Sequence, residues 1–114
     1  MRPLFFFSFD DLSYSFMPTE AKLTRYIMRD IRRKFGGKWW KIHANIFQGK
    51  DTVDIFGVCR SKFFALEVKL PGKEKQLTKI QAHTLNIINA NGGFACMITS
   101  RKQAIKFVRG ALKS

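Results

Sequence analysis

Asp54, Glu67 and Lys69 have the residue types and spacing best suited to chemistry in this chain, because two acids and a lysine can hold a metal ion and act on a phosphate. Asp54 lies in the run TVDIFGV, and the other two lie in FFALEVK, which follows the polar break CRSK. Two such runs around a short break predict a β-hairpin. With its turn centred on Arg60 and Ser61, Asp54 directly faces Glu67 on the side that Lys69 shares.

The predicted pairing of two acids is unusual, because directly opposed residues have Cβ atoms about 4.5–5.5 Å apart and like charges there are destabilising. Thr52, Asp54, Glu67 and Lys69 crowd one end of a face that otherwise carries Phe56, Val58, Phe63 and Ala65. The opposite face carries Val53, Ile55, Phe64, Leu66 and Val68. A hairpin that is apolar on both faces is covered on both faces, so the acids are at least partly shielded from water.

A divalent cation held between the two acids is the simplest reason for their closeness. Mg²⁺ takes oxygen ligands and is typically bound through one or two protein carboxylates, which leaves positions for phosphate and water. The alternative is an ordinary surface cluster in which Asp54 and Glu67 form salt bridges with Lys69.

The pattern of an Asp on one strand and Glu-x-Lys on the next resembles the PD-(D/E)XK nucleases. Its context, VDIFGV followed by FFALEVKLPG and a helix with Gln81, is similar to the VRR-NUC subfamily of small stand-alone phage and bacterial nucleases, which are related to Holliday-junction resolvases. Val53 replaces the proline usually found before the Asp, at a position that is not a ligand. The resemblance covers roughly residues 18–108 and implies an αβββαβ core of the restriction-endonuclease type.

The resemblance implies a metal-dependent endonuclease that hydrolyses phosphodiester bonds in DNA, including branched or junction DNA. Lys69 would orient or deprotonate the attacking water, and Gln81 would pack beside Lys69. The cofactor would be Mg²⁺, with Mn²⁺ able to substitute. Its ligands would be Asp54, Glu67, the Val68 carbonyl and Glu20. An RNA nuclease and a non-catalytic nucleic-acid-binding module with a nuclease-like fold remain alternatives, and a buried amide bonded to backbone is the alternative for Gln81.

A first helix is predicted over residues 18–35, with Thr19 as its N-cap. Its apolar stripe consists of Leu23, Ile27 and Ile31. Glu20 falls at the centre of this stripe, and an acid that points at a sheet needs a cation or a hydrogen bond. In the resembling family, a helix Glu at this place approaches the metal site. The alternative is that Glu20 only interacts favourably with the helix dipole.

The segment 38–47 alternates in the manner of a strand, and a polar loop at 45–51 leads from it into the hairpin. The resemblance implies that Lys41 or His43 lies near the scissile phosphate, whereas a solvated strand edge is the alternative for both. The predicted nucleic-acid contacts are Lys41, His43, Lys73, Lys75, Lys79, Arg29 and Arg33.

The C-terminal part of the chain predicts helix, strand and helix. The second helix ends near Asn91, with an inner stripe of Leu77, Ile80, Thr84 and Ile88 that also contains Gln81. The apolar run 94–99 predicts a buried strand that is parallel to its neighbour after a helical crossover. Ser100 caps the last helix. The whole order predicts an α/β fold, with a mixed sheet of about four strands and helices on both faces.

Composition predicts a single domain and favours a polyanion as its partner. The sequence has 114 residues, is 46% hydrophobic, and carries 21 Lys and Arg against 8 Asp and Glu, for a formal net charge of +13. Such a charge favours nucleic acid as a partner but does not distinguish DNA from RNA or from an anionic membrane. Cys59 and Cys96 lack further ligands at short spacing, which predicts free thiols of a cytosolic protein.

Residues 1–16 form an N-terminal extension, and the nuclease-like domain is predicted at 17–114. The apolar run of the extension is short and broken by Ser8, Asp10 and Asp11, so it fits neither a signal peptide nor a membrane span. Either translation starts at Met17 or the aromatic residues of the extension pack on the domain. We expect a cytoplasmic protein of a bacterial or phage-infected cell, with no membrane association. The resemblance also implies a homodimer and a helicase or repair protein as candidate partners.

Overall fold

A computed structural model of the chain describes residues 19–42 and 53–114. Its helices are α1 (Glu20–Phe35), α2 (Lys79–Ala90) and α3 (Arg101–Leu112), and a short 3₁₀ turn spans Glu74–Gln76. Its strands are β1 (Lys38–Lys41), β2 (Ile55–Cys59), β3 (Lys62–Val68) and β4 (Phe94–Ile98). The extension 1–16, the far end of the predicted first strand, the loop 45–51 and Thr52 lie outside the described residues.

The four strands form one mixed sheet in the order β1-β2-β3-β4. The first three strands are a meander of antiparallel pairs, and β4 joins β3 in parallel after the crossover through α2. Arg60 and Ser61 form the hairpin turn with φ of 51° and 67°, the paired positive values of a type I′ turn. The predicted register of β2 and β3 and the predicted mixed sheet with helices on both faces are confirmed.

α1 and α3 cover one face of the sheet. Thr19 caps α1, and its inward stripe, Leu23, Ile27 and Ile31, is fully buried as predicted. These residues meet Ile55, Phe64, Leu66 and Val68 of the sheet and Ala104 and Val108 of α3. Trp39 closes this core over Gly57, where a Cβ atom would overlap the indole ring. Gly57 is therefore required so that β1 and β2 can pack at this point.

α2 packs on β3 and β4 on the other face, where a smaller core contains Val53, Ala65, Leu85 and Ala95. The prediction that Val53 shares a face with Ile55 was wrong, because Val53 lies two residues before the start of β2, where the alternation of the strand no longer applies. α2 leaves the hairpin end of this face uncovered. The side chains left exposed there are Trp40, Val58 and Phe63.

The predicted inward position of Ile80 was also wrong, since 56% of its surface is exposed. Thr78 caps α2 through a capping box with Gln81, so the helix starts later than the apolar pattern indicated. The inward face of α2 then follows Gln81, Leu85 and Ile88, and Ile80 lies beside it.

Both cysteines are free thiols, as predicted, with Cys59 buried in β2 and Cys96 half-buried in β4. Burial raises the pKa of the Cys96 thiol, which makes it less reactive. None of the helices in the described ranges has the length and apolar character that crossing a membrane requires.

Candidate active site

Asp54 immediately precedes β2, and hydrogen bonds of both its backbone and its side chain fix its position. Its N–H donates to the Leu66 carbonyl at 3.1 Å, and its Oδ2 accepts from the Val68 N–H at 2.7 Å. Ile55 pairs with Leu66, so the register of the hairpin brings Asp54 beside Glu67, the residue that follows Leu66 in β3. One carboxylate oxygen of Asp54 is therefore used to fix its direction, and the carboxyl group lies within hydrogen-bond reach of Glu67.

Glu67 is buried, with 2% of its surface exposed. Its Oε2 accepts a hydrogen bond from Gln81 Nε2 at 3.1 Å and lies 3.4 Å from Lys69 Nζ. Its Oε1 is buried and has no hydrogen-bond partner among residues 19–42 and 53–114. A buried carboxylate oxygen without a partner is costly, so this atom calls for a proton or a cation.

Burial and the neighbouring charge of Asp54, in that order, raise the pKa of Glu67 from 4.5 to about 8, and the Lys69 ammonium only partly opposes the shift. Near neutral pH, Glu67 thus keeps a proton that it can donate to Asp54. A divalent cation beside both acids would reverse this preference, because a positive charge favours the ionised carboxylate.

Lys69 lies just beyond the end of β3, and its N–H donates to the Ile98 carbonyl at 3.0 Å. Only 8% of its surface is exposed, so its ammonium is held near the acids. Gln81 reaches the same corner from α2, with its Oε1 accepting from the Thr78 N–H at 3.0 Å. This bond fixes the orientation of the amide, which must point its Nε2 at Glu67.

The donor set fits a hard divalent cation better than zinc. In the part of the chain that the structure describes, no three His, Cys, Asp or Glu side chains form a group able to hold a metal ion. Mg²⁺ is commonly bound by one or two carboxylates together with water and substrate phosphate, which Asp54 and Glu67 can provide. Within the described residues Glu20 does not complete a group of three acids with Asp54 and Glu67, and the buried stripe of α1 packs on the face of the sheet opposite to Glu67.

The predicted nucleic-acid contacts are divided between the two layers of the fold. Lys73 and Lys75 are exposed in the segment that joins β3 to α2, and Lys79 is exposed at the first position of α2, two residues before Gln81. Lys41 shares the opposite face with Trp39 and lines a cleft with arginines of α1. Arg33 is exposed on α1, Arg29 is half-buried against the Tyr26 ring at 5.0 Å, and His43 lies outside the described residues.

Sequence reasoning missed a second basic region, a cleft between α1 and α3. It contains Lys34 near the end of α1 and Lys102, Lys106 and Arg109 along α3. The spacing of the three α3 residues predicts one helical ridge, which was the available signal. That Lys34 faces this ridge depends on how the two helices pack, which the local pattern does not show.

No model of a known protein family matches the chain, and no match was found among curated proteins. The resemblance to nucleases therefore depends only on residues of the chain itself, above all on Asp54, Glu67, Lys69 and Gln81.

Proposed function

We propose that this protein is a metal-dependent nuclease, a hydrolase that cleaves phosphodiester bonds in DNA. One observation carries the proposal: the carboxyl groups of Asp54 and Glu67 lie side by side, and the buried Glu67 Oε1 accepts no hydrogen bond from a donor of the described residues. The ion pair with Lys69 involves only Oε2, so Oε1 is satisfied by a proton or by a cation, and we propose the cation. The resemblance to the VRR-NUC nucleases gives the same function to the same residues.

Asp54 and Glu67 would hold Mg²⁺ or Mn²⁺, with the Val68 carbonyl as the predicted third protein ligand. The bond from the Val68 N–H orients Asp54, and the bond from Gln81 orients Glu67. Such supporting bonds keep the ligand oxygens in place before the metal arrives. A bound divalent cation supplies Lewis acidity and neutralises negative charge at the scissile phosphate.

Lys69 brings the positive charge that the chain itself places at this site. Its ammonium lies 3.4 Å from Glu67 Oε2 and is shielded from water, which strengthens its attraction for an anion. In the proposed reaction Lys69 holds the attacking water and offsets charge that develops on the phosphoryl oxygens.

The exposed Lys73, Lys75 and Lys79 would contact the backbone of the DNA next to the acids. With a formal net charge of +13, the protein should bind nucleic acid with little sequence preference and with a steep dependence on salt. A homodimer and a helicase or repair protein remain the proposed partners.

The test is cleavage of plasmid DNA and of branched DNA in Mg²⁺ or Mn²⁺. Asp54→Asn, Glu67→Gln and Lys69→Met should each abolish cleavage, because each removes the ability to carry the charge that the metal or the phosphate needs while nearly conserving shape. Glu74→Gln, at an exposed acid outside the site, is the matched control and should cut at the parental rate. Binding measured in EDTA should persist in all four variants. A Glu67→Gln protein that cuts as fast as the parent would refute the proposal.

A non-catalytic nucleic-acid-binding module is the second candidate function. It is favoured by the absence of a third metal-binding side chain beside the pair within the described ranges, since binding needs only the basic surface. Titration with Mn²⁺ separates the two functions: the nuclease must bind the metal through Asp54 and Glu67, and the binding module need not.

A further inference from the structure

A cleft of about 600 Å³ lies between α1 and α3, on the layer of the fold opposite to the acid pair. Lys34 lines it from α1, and Lys102, Lys106 and Arg109 line it from α3. None of these four forms an ion pair with a carboxylate of the described residues. Several like charges that face one another across a cleft repel, and an anion in the cleft would relieve this repulsion.

A fixed ion pair holds the two helices in this arrangement. Arg101 donates from Nε and Nη2 to the two oxygens of Asp30, at 2.6 and 2.9 Å, and so joins the first turn of α3 to α1. Both carboxylate oxygens of Asp30 therefore bind Arg101, and Asp30 forms no ion pair with the other described cations of the cleft. The Arg109 guanidinium lies over the Phe35 ring at 5.9 Å, which helps to hold its stem in place.

The ridge of α3 has dimensions that suit a nucleic-acid backbone. Lys102, Lys106 and Arg109 follow the i, i+4, i+7 spacing of one helix face, so they span about 10 Å along the axis. One strand of a duplex carries a phosphate about every 3.4 Å of its axis, so about three phosphates fit that length. A small anion would engage one of these cations, whereas a polyanion engages all of them.

We propose that the α1–α3 cleft binds the sugar–phosphate backbone of a second segment of the nucleic acid whose first segment meets Asp54 and Glu67. This inference rests on the proposed function, because it takes the branched DNA that the resemblance implies as the substrate and assigns its second arm to the cleft. The sheet and its core lie between the cleft and the acids, so one phosphate cannot contact both. A substrate with two arms can occupy both regions, and a short linear duplex occupies only one at a time.

The experiment compares two double variants that remove the same charge. K102Q with K106Q changes the cleft, and K38Q with R60Q changes two exposed cations at the hairpin end of the sheet. Binding to a labelled four-way DNA junction and to a linear duplex of equal length is measured by fluorescence anisotropy over a series of salt concentrations, in EDTA. A charge-preserving variant, K102R with K106R, checks that lost binding is not a folding defect.

We expect the parent to prefer the junction and the cleft variant to lose that preference. Its slope of log Kd against log salt should fall by about 2, since each lost phosphate contact lowers the slope by about 1. K38Q with R60Q should retain the preference, and K102R with K106R should restore it. Equal losses in the two neutralised variants, or no preference in the parent, would overturn the proposal.

Vesicles of phosphatidylcholine with and without phosphatidylserine test the other polyanionic surface. If the cleft variant loses vesicle binding while its junction binding is parental, the cleft serves a membrane and the proposal is wrong. Cleavage assays on the same samples keep the two proposals separate. If the parent binds the junction through the cleft but never cuts DNA, the nuclease proposal is wrong and the cleft proposal stands. If the parent cuts DNA but the two neutralised variants bind the junction equally well, the cleft proposal is wrong and the nuclease proposal stands.

Discussion

The Gln81 side chain donates a hydrogen bond to Glu67 across 3.1 Å, and this bond connects the start of α2 to the acid pair. The same amide accepts from the Thr78 N–H, so the capping box that begins the helix also fixes the direction of the donor. Local helix chemistry and the geometry of the site thus depend on one side chain. A shift of α2 would move the hydrogen atoms that orient Glu67.

Gln81→Ala should weaken metal binding by about 10- to 100-fold, because Glu67 loses the bond that orients it. Titration calorimetry with Mn²⁺ measures the affinity, and circular dichroism checks that α2 persists. Gln76→Ala, an exposed glutamine of the 3₁₀ turn, is the control and should bind as the parent does. Parental metal affinity in Gln81→Ala would mean that Glu67 is positioned by β3 alone.

The stability of the metal-free protein should fall as pH rises from about 5 to about 9. Glu67 has a pKa of about 8 in the folded chain and an ordinary value of 4.5, so between these values the folded state holds a proton that the unfolded state has lost. That stabilisation is complete below 4.5 and is lost as pH rises through about 8. Thermal unfolding in EDTA at several pH values measures this trend. Glu67→Gln should flatten the curve, and an unchanged slope would show that another group is responsible.

Metal binding should release close to one proton at pH 7. Glu67 is mostly protonated there in the free protein, because its pKa is about 8, and a carboxylate must ionise to serve as a ligand. Calorimetry in two buffers of different ionisation enthalpy gives the number of protons released. Raising the pH to about 9 should remove the buffer dependence. Equal heats in both buffers at pH 7, with metal bound, would indicate that the cation does not contact Glu67.

Sequence alone was sufficient for the parts of the fold that depend on short-range geometry. The break at Arg60 and Ser61 allows a two-residue turn, and that turn fixes which residues of β2 and β3 face each other. The stripe of α1 follows from helical periodicity alone. Ile80 and Val53 were misassigned because each lies at the edge of an element, where a cap or a strand end decides the direction of the side chain.

The site was predictable to the extent that it lies on the hairpin. Asp54 and Glu67 face each other through register, and Lys69 shares their side of the sheet. The position of Glu20 could not be read in the same way, because it depends on which face of the sheet receives α1. The basic cleft depends on the packing of α1 against α3, two helices at opposite ends of the described chain. The position of Glu20 and the existence of the basic cleft therefore depend on tertiary packing, which a local sequence pattern does not show.

Gly57 supports the site from beneath, since it lets the Trp39 ring pack against the middle of β2. Gly57→Ala should destabilise the protein by about 1–3 kcal/mol, because the new methyl group overlaps the buried Trp39 ring and forces the ring or the strand to shift. Gly110→Ala is the matched control: nothing lies within 4 Å of its Cβ position in α3, so the helix should gain about 0.5–1 kcal/mol. Chemical denaturation of both variants measures the free energies of unfolding. A Gly57→Ala protein as stable as the parent would require β1 to move away from β2. The Ile42 N–H bond to the Asp54 carbonyl, 2.8 Å long, would then break and weaken metal binding as well.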